Sequence, residues 1–215
     1  MLETIRKNKR MLLITAAIIL SPMLAGIILW ERLPETMATH WGLSGEANGW
    51  SSRGFAVFGL PLFLLAMQVL CLVLDKWNIH TQQNKKVMRL ILWIIPVVSL
   101  FCGASIYTYA LGYDLHIETI APVFMGVLFI AVGNYLPKCT QNPTVGIKLP
   151  WTYESEANWN ATHRFGGRLW VAAGVVCILM AFLPEAVSAW IMLPVLLGAC
   201  FAPMVYSYLY HRRHG

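Results

Sequence analysis

The sequence predicts an all-α polytopic membrane protein: six transmembrane helices packed as one compact bundle spanning residues 1–215, with both termini cytoplasmic. Three observations lead there. The chain is 58% hydrophobic and only 12% charged, whereas soluble domains carry about 25% charged residues. Its uncharged residues fall into runs near the length of about 20 that a helix needs to cross a bilayer. Its basic residues alternate between connections, and that alternation assigns each connection a side.

The runs free of Asp, Glu, Lys and Arg place spans at about 11–30, 54–74, 90–113, 119–137, 168–184 and 186–210. The first follows Arg6, Lys7, Lys9 and Arg10 as a signal peptide would. It is longer than an apolar signal core of roughly 7–15 residues and has no clear small-x-small cleavage site, so it reads as an uncleaved helix. The fifth is the shortest, and Arg168 at its start lengthens it by snorkelling. Pro184 and Glu185 then turn the chain into the sixth.

Of the 16 Lys and Arg residues, 14 lie in the N-terminal segment, the connections 75–89 and 138–168, and the tail; Arg32 and Arg53 alone lie on the opposite side. The bias sets both termini inside. The net charge of +6 is therefore a topology signal, and no direct nucleic-acid partner is expected. The outer side is acidic, with Glu31, Glu35, Glu46, Asp114, Glu118 and Glu185, which suits a cationic ligand there.

The spans hold no ionisable acid or base of the kind that marks ion pathways and proton relays; Gln68 and Asn134 are their strongest polar groups, Asn134 near the cytoplasmic interface. Pro22, Pro61, Pro96, Pro194 and Pro203 lie inside spans, where each frees a carbonyl and kinks its helix. Small residues, among them Gly26, Gly103, Gly126, Gly133 and Gly174, allow close helix packing. Trp30, Trp50, Trp77, Trp151, Trp170 and Trp190 fall near span ends, as interfacial anchors do. The five cysteines, 71, 102, 139, 177 and 200, form neither a disulfide framework nor a metal motif.

Function is sought in two loops. The outer loop 31–53 holds Pro34, His40, Trp41, Gly45, Glu46, Gly49 and Trp50, and reads as a compact folded loop on the membrane surface, with Asn48-Gly49 as a turn signal. His40 with His116 and the outer carboxylates lacks metal-ligand spacing. In the inner loop 137–167, Pro137, Pro143 and Pro150 exclude a continuous helix from the first half. Thr152 caps a short amphipathic helix over 153–163, with Glu154 and Glu156 at its start and His163 and Arg164 at its end, where they suit its dipole. Gly166-Gly167 stops it before span five, and Trp159 rests on the membrane face. Neither loop has a hydrolase, metalloprotease or nucleotide-binding motif. No catalytic residue, cofactor or metal is expected.

Residues 133–170 read GNYLPKCTQNPTVGIKLPWTYESEANWNATHRFGGRLW. This run resembles the signature segment of the SdpI family, through Gly133, Asn134, Pro137, Asn142, Gly146, Lys148, Pro150, Trp151, Thr152, Trp159, Thr162, His163, Arg164, Gly166 and Gly167. Residues 33–53, LPETMATHWGLSGEANGWSSR, resemble the family's N-terminal LP…H…G module. Two departures are Lys148-Leu149-Pro150 where the family has Arg-Thr-Pro, which loses a bidentate fork and a hydroxyl, and Pro143 where an aromatic is usual. The resemblance implies a six-span immunity protein of the bacterial cytoplasmic membrane that protects against a secreted peptide toxin acting from outside and sequesters a cytoplasmic transcriptional repressor. The alternatives are a transporter or exporter of an amphipathic peptide or lipid, and a membrane metal hydrolase using His40, His116 or His163.

Overall fold

A computed structural model describes residues 2–42, 44–75, 82–142 and 145–214. In chain order it contains α1 (Leu2–Ile28), strands β1 (Thr36–Trp41) and β2 (Ala47–Ser52), α2 (Leu60–Asp75), α3 (Gln82–Ala110), α4 (Ile117–Tyr135), α5 (Pro150–Glu154), α6 (Glu156–Met180) and α7 (Glu185–His214). Short 3-10 turns cover Trp30–Arg32 and Leu136–Lys138, and a π-helical turn covers Phe55–Gly59. Among the described residues, five helices are long and apolar enough to cross a membrane: Lys9–Ile28, Phe55–Val73, Arg89–Ala110, Ile117–Lys138 and Trp190–His214. These match five of the six expected spans, and the protein is a membrane protein. The remaining stretch, 168–184, forms the second half of α6 and the turn after it. Pro143, Trp77 and Lys76 lie outside the described residues.

The chain divides into two units. The first comprises residues 1–77 and 89–117. Here Pro22 deprives the Ile18 carbonyl of its helical donor, and the Ser21 hydroxyl supplies one at 2.8 Å. Three polar contacts tie the apolar helices together: Gln68 Nε2 donates to Thr15 Oγ1 at 2.7 Å, Ser99 Oγ to the Ile19 carbonyl at 2.8 Å and Tyr107 Oη to the Pro22 carbonyl at 2.8 Å, while Gln68 Oε1 is buried with no partner among the described residues. An unpaired polar group in such surroundings costs several kcal/mol, on the order of 2–7. Leu33, Met37, Ala56, Val57, Ile106 and Tyr107 form the buried core, which joins the start of the strand pair to the helix ends.

The second unit comprises residues 78–88 and 118–215. Its helices α4 and α6 meet backbone to backbone. A Cβ added at Gly126 would lie 2.5 Å from the Gly174 carbonyl oxygen, and one at Gly133 would lie 2.8 Å from that of Gly167. The two pairs are seven residues, about two turns, apart on each helix. Pro203 frees the Ala199 carbonyl in α7, and Trp170 Nε1 donates to it at 3.0 Å. Trp170 thus serves packing as well as any interfacial role.

Three expectations for loop 137–167 are corrected. Thr152 does not cap a helix over 153–163; it lies inside α5, and Ser155, extended at φ −135° and ψ 116°, separates α5 from α6. Ser155 Oγ caps α6 by accepting from Asn158 N at 3.2 Å. Gly166-Gly167 do not stop the helix, because their missing side chains are filled by neighbours: Ile147 and Leu136 beside Gly166, Pro137 and the Gly133 backbone beside Gly167. His163 and Arg164 therefore sit mid-helix, away from the dipole's end. Trp159 does not rest on a membrane face; it is 0% exposed.

The strand pair refines the all-α expectation: loop 31–53 folds as an antiparallel hairpin. Asn48-Gly49 is not its turn. The strands are joined where Gly42 N donates to Glu46 O at 2.9 Å and Gly45, at φ +74°, donates its N–H to Gly42 O at 3.1 Å. Gly49 instead pairs with His40 where the register shifts, and a Cβ on Gly49 would come 2.7 Å from that of His40. A glycine inside a strand commonly marks such a close approach.

Candidate functional site

Two places hold the residues singled out from the sequence, one in each unit. In the first, the hairpin is fastened at its base by Arg53. Its guanidinium Nη1 donates to the carbonyls of Trp30 at 2.7 Å and Leu33 at 3.0 Å and lies 4.4 Å over the Trp30 ring. Its backbone N–H donates to Glu35 O at 2.7 Å. One of the two basic residues outside the 14 is thus a structural clamp. Trp41 and Trp50 converge on Tyr109, at 5.7 and 6.2 Å between ring centroids. Trp50 remains 54% exposed, and Pro34, Glu35, His40 and Glu46 are exposed on the same loop. His40 Nδ1 pairs with Asn48 Oδ1 at 2.5 Å, and Thr39 with Ser51 through their hydroxyls at 2.9 Å. The Trp41 indole N–H is buried with no partner among the described residues. His116 pairs with Asp114 at 3.7 Å, both well exposed. Among the described residues no three His, Cys, Asp or Glu side chains are grouped as a metal site.

In the second unit the signature residues build a hydrogen-bonded loop locked onto α6. The Asn142 amide bridges the turn: Nδ2 donates to Thr140 O at 2.7 Å, Val145 O at 2.9 Å and Cys139 Sγ at 3.2 Å, while Oδ1 accepts from Val145 N at 2.8 Å. Burial pushes the Cys139 thiol up from its ordinary value, against the lowering effect of the Asn142 bond. Thr152 Oγ1 accepts from Leu149 N at 2.9 Å and lies 3.1 Å from Ile147 O. Gln141 Nε2 reaches the carbonyls of Thr152 and Tyr153 at 2.7 and 2.9 Å. Trp159 Nε1 donates to Cys139 O at 2.8 Å.

His163 is the latch between the loop and the helix. It is 0% exposed and stacks on Trp159 at 4.1 Å between centroids. Its Nε2 accepts from Ile147 N at 2.9 Å, and its Nδ1 faces the Trp159 carbonyl at 2.8 Å. A carbonyl only accepts and a backbone N–H only donates. The ring is therefore neutral and carries its proton on Nδ1. Burial holds its pKa below the ordinary histidine value, offset in part by the Trp159 bond. Gly146, at φ +132°, lies flat on this stack: a Cβ there would be 2.5 Å from His163 Nε2 and 2.8 Å from Trp159 Cζ2.

One turn earlier on α6, Asn158 Oδ1 accepts from Thr162 Oγ1 and Ser207 Oγ, each at 2.9 Å, and its Nδ2 donates to Ser207 O at 3.1 Å. This ties α6 to α7. Trp151 packs against Tyr208 and His211.

Of the signature residues, Gly133, Asn142, Thr152, Trp159, Thr162, His163, Gly166 and Gly167 are buried, with Gly146 against the stack; Asn134, Pro137, Lys148, Pro150 and Arg164 are exposed. Sequence reasoning missed Asn158, Ser207, Gln141 and Arg53. Asn158 and Ser207 are 49 positions apart, and only the fold joins them. Arg53 had a signal, as a basic residue on the poorly charged side of the bias.

Comparison with known proteins agrees with this division. The model of the SdpI/YfhL protein family matches residues 138–207, which cover the locked loop, α6 and most of α7. That of a domain of unknown function, DUF1648, matches residues 17–65, which cover the hairpin and the adjoining parts of α1 and α2. The chain is 25% identical over 201 residues to the immunity protein SdpI of Bacillus subtilis (strain 168), covering 94% of this chain and 96% of that protein. No solved structure matches. The chain is thus similar to the SdpI/YfhL protein family through residues 138–207, and to one immunity protein along nearly its whole length.

Proposed function

We propose that this protein confers immunity against a secreted peptide toxin at the bacterial cytoplasmic membrane. The observation that carries the reading is the similarity to an immunity protein, which extends over 94% of the chain and so includes both the hairpin and the locked loop. In this reading the chain is one integral-membrane domain crossing six times, with the apolar half of α6 as a crossing, and both termini are cytoplasmic according to the 14-to-2 basic bias. The hairpin then faces the outside. Trp50, with Trp41 beside it, and the exposed Pro34, His40 and Glu46 offer an amphipathic surface to an arriving peptide, with aromatic groups of the kind that anchor interfaces. Gly45 and Gly49 shape that surface. The loop 137–167 faces inside, where the exposed Lys148 and Pro150 lie on the side of a transcriptional repressor.

The freed carbonyls of Ile18 and Ala199 are taken up by Ser21 and Trp170, which favours packing over a transport path at those prolines. The test is survival. Cells of a toxin-sensitive strain making this protein are challenged with a panel of secreted peptide toxins. Protection against at least one is expected; unchanged killing across the panel contradicts the reading.

A further inference from the structure

The exposed face of α6 carries Arg164, Arg168, Ala172, Val175 and Leu179. At 100° per residue these positions fall within an arc of about 80°, one continuous stripe. Its upper part is apolar and open, with Val175 44% and Leu179 58% exposed, and in a membrane helix that part faces acyl chains. Its lower part is two guanidiniums one turn apart. Among the described residues neither pairs with a carboxylate or a carbonyl.

The length of the helix sets their depth. From Leu169 to Met180 α6 has 12 uncharged residues, about 18 Å at 1.5 Å per residue, against a hydrocarbon core of about 30 Å. A helix this short does not keep Arg168 clear of the core by its own length. Its two arginines must reach a counter-charge on the same stripe, and the group available there is the phosphate of a lipid headgroup drawn toward the helix. The planar fork of arginine suits a phosphate bidentately.

We propose that Arg164 and Arg168 form a binding site for the phosphate of an anionic phospholipid, which fills the shortfall in α6 and holds it at membrane depth. The proposal rests on α6 entering the bilayer, as in the six-span reading, and is independent of any toxin.

The full-length protein is reconstituted in phosphatidylcholine vesicles containing spin-labelled phosphatidylglycerol or spin-labelled phosphatidylcholine. The wild type is expected to retain the anionic lipid about 25-fold better, since each of the two arginines on the lipid-facing stripe contributes about fivefold. R164Q/R168Q is expected to fall to within about twofold of no preference, while R212Q/R213Q keeps most of it. Equal preference in wild type and R164Q/R168Q overturns the site. So does loss of preference on adding inorganic phosphate, which would make free phosphate the ligand. Unchanged circular dichroism and thermal unfolding of the double variant exclude misfolding. A benzophenone side chain at position 175 tests the premise separately: cross-linking to acyl chains with no lipid preference overturns the site alone, and no acyl cross-link overturns the membrane entry of α6.

Discussion

Gly133 on α4 and Gly167 on α6 face one another so closely that a Cβ on either would lie 2.8 or 2.7 Å from the carbonyl oxygen of the other. Gly126 and Gly174 repeat the relationship at 2.5 Å in both directions. In lipid there is little hydrophobic drive between helices, so backbone approach of this kind is a main source of helix association.

Substituting these positions therefore separates the helices. Gly174→Leu or Gly167→Leu is expected to cost about 1–3 kcal/mol or more by overpacking, seen as a lower thermal midpoint in detergent. Gly198→Leu on α7, where a Cβ meets nothing within 4 Å, is the control and should leave the midpoint nearly unchanged.

Arg53 fastens the hairpin with two carbonyl bonds and a tryptophan face. Arg53→Met keeps the length and loses the charge-assisted bonds, about 1.5–3 kcal/mol each. The expected result is faster proteolysis within 31–53 while the midpoint of the whole chain drops less.

Gly146→Ala combines a strained φ with a Cβ placed on the His163 ring. We expect a loss of about 2 kcal/mol or more. Trp159 should become accessible to a soluble fluorescence quencher as the loop lifts; Trp159→Phe in the same background removes that signal and identifies its source.

His163 makes the lock pH-dependent. Its folded pKa lies below its unfolded value, which is about 6.5. Between the two values the unfolded chain binds more protons, so stability rises with pH. The contribution is full above about 6.5 and is lost as the pH falls from there toward the folded pKa. Protonated Nε2 would face the Ile147 N–H, donor against donor, at a cost of about 1–3 kcal/mol. Thermal unfolding between pH 7.5 and 5 should show a decline in the wild type that His163→Gln flattens.

Much of the fold is legible in the sequence because a bilayer demands long apolar runs, and composition alone reveals them. The five apolar helices fall within a few residues of their expected places. The end of the Thr152 helix was not legible, because Gly166-Gly167 has two physical uses. A glycine pair stops a helix when it faces water and continues one when another backbone fills its space, and the partner Gly133 is 34 positions away. The hairpin was hidden by Asn48-Gly49, a strong turn signal spent on a strand irregularity opposite His40. In the signature, residue identity marked importance without role: Trp159 and His163 looked like surface groups of a short helix, and burial shows them to be the lock.

The most direct test of the central claim is a survival curve against a toxin to which the wild-type protein gives protection. Cells making wild type, Trp50→Ala/Glu46→Gln or Lys148→Gln at equal membrane levels are compared. Recognition by the hairpin predicts survival with wild type and Lys148→Gln, and killing with the Trp50→Ala/Glu46→Gln variant at toxin concentrations lower by about tenfold or more, the loss of a single interface anchor. Full protection by that variant would contradict it.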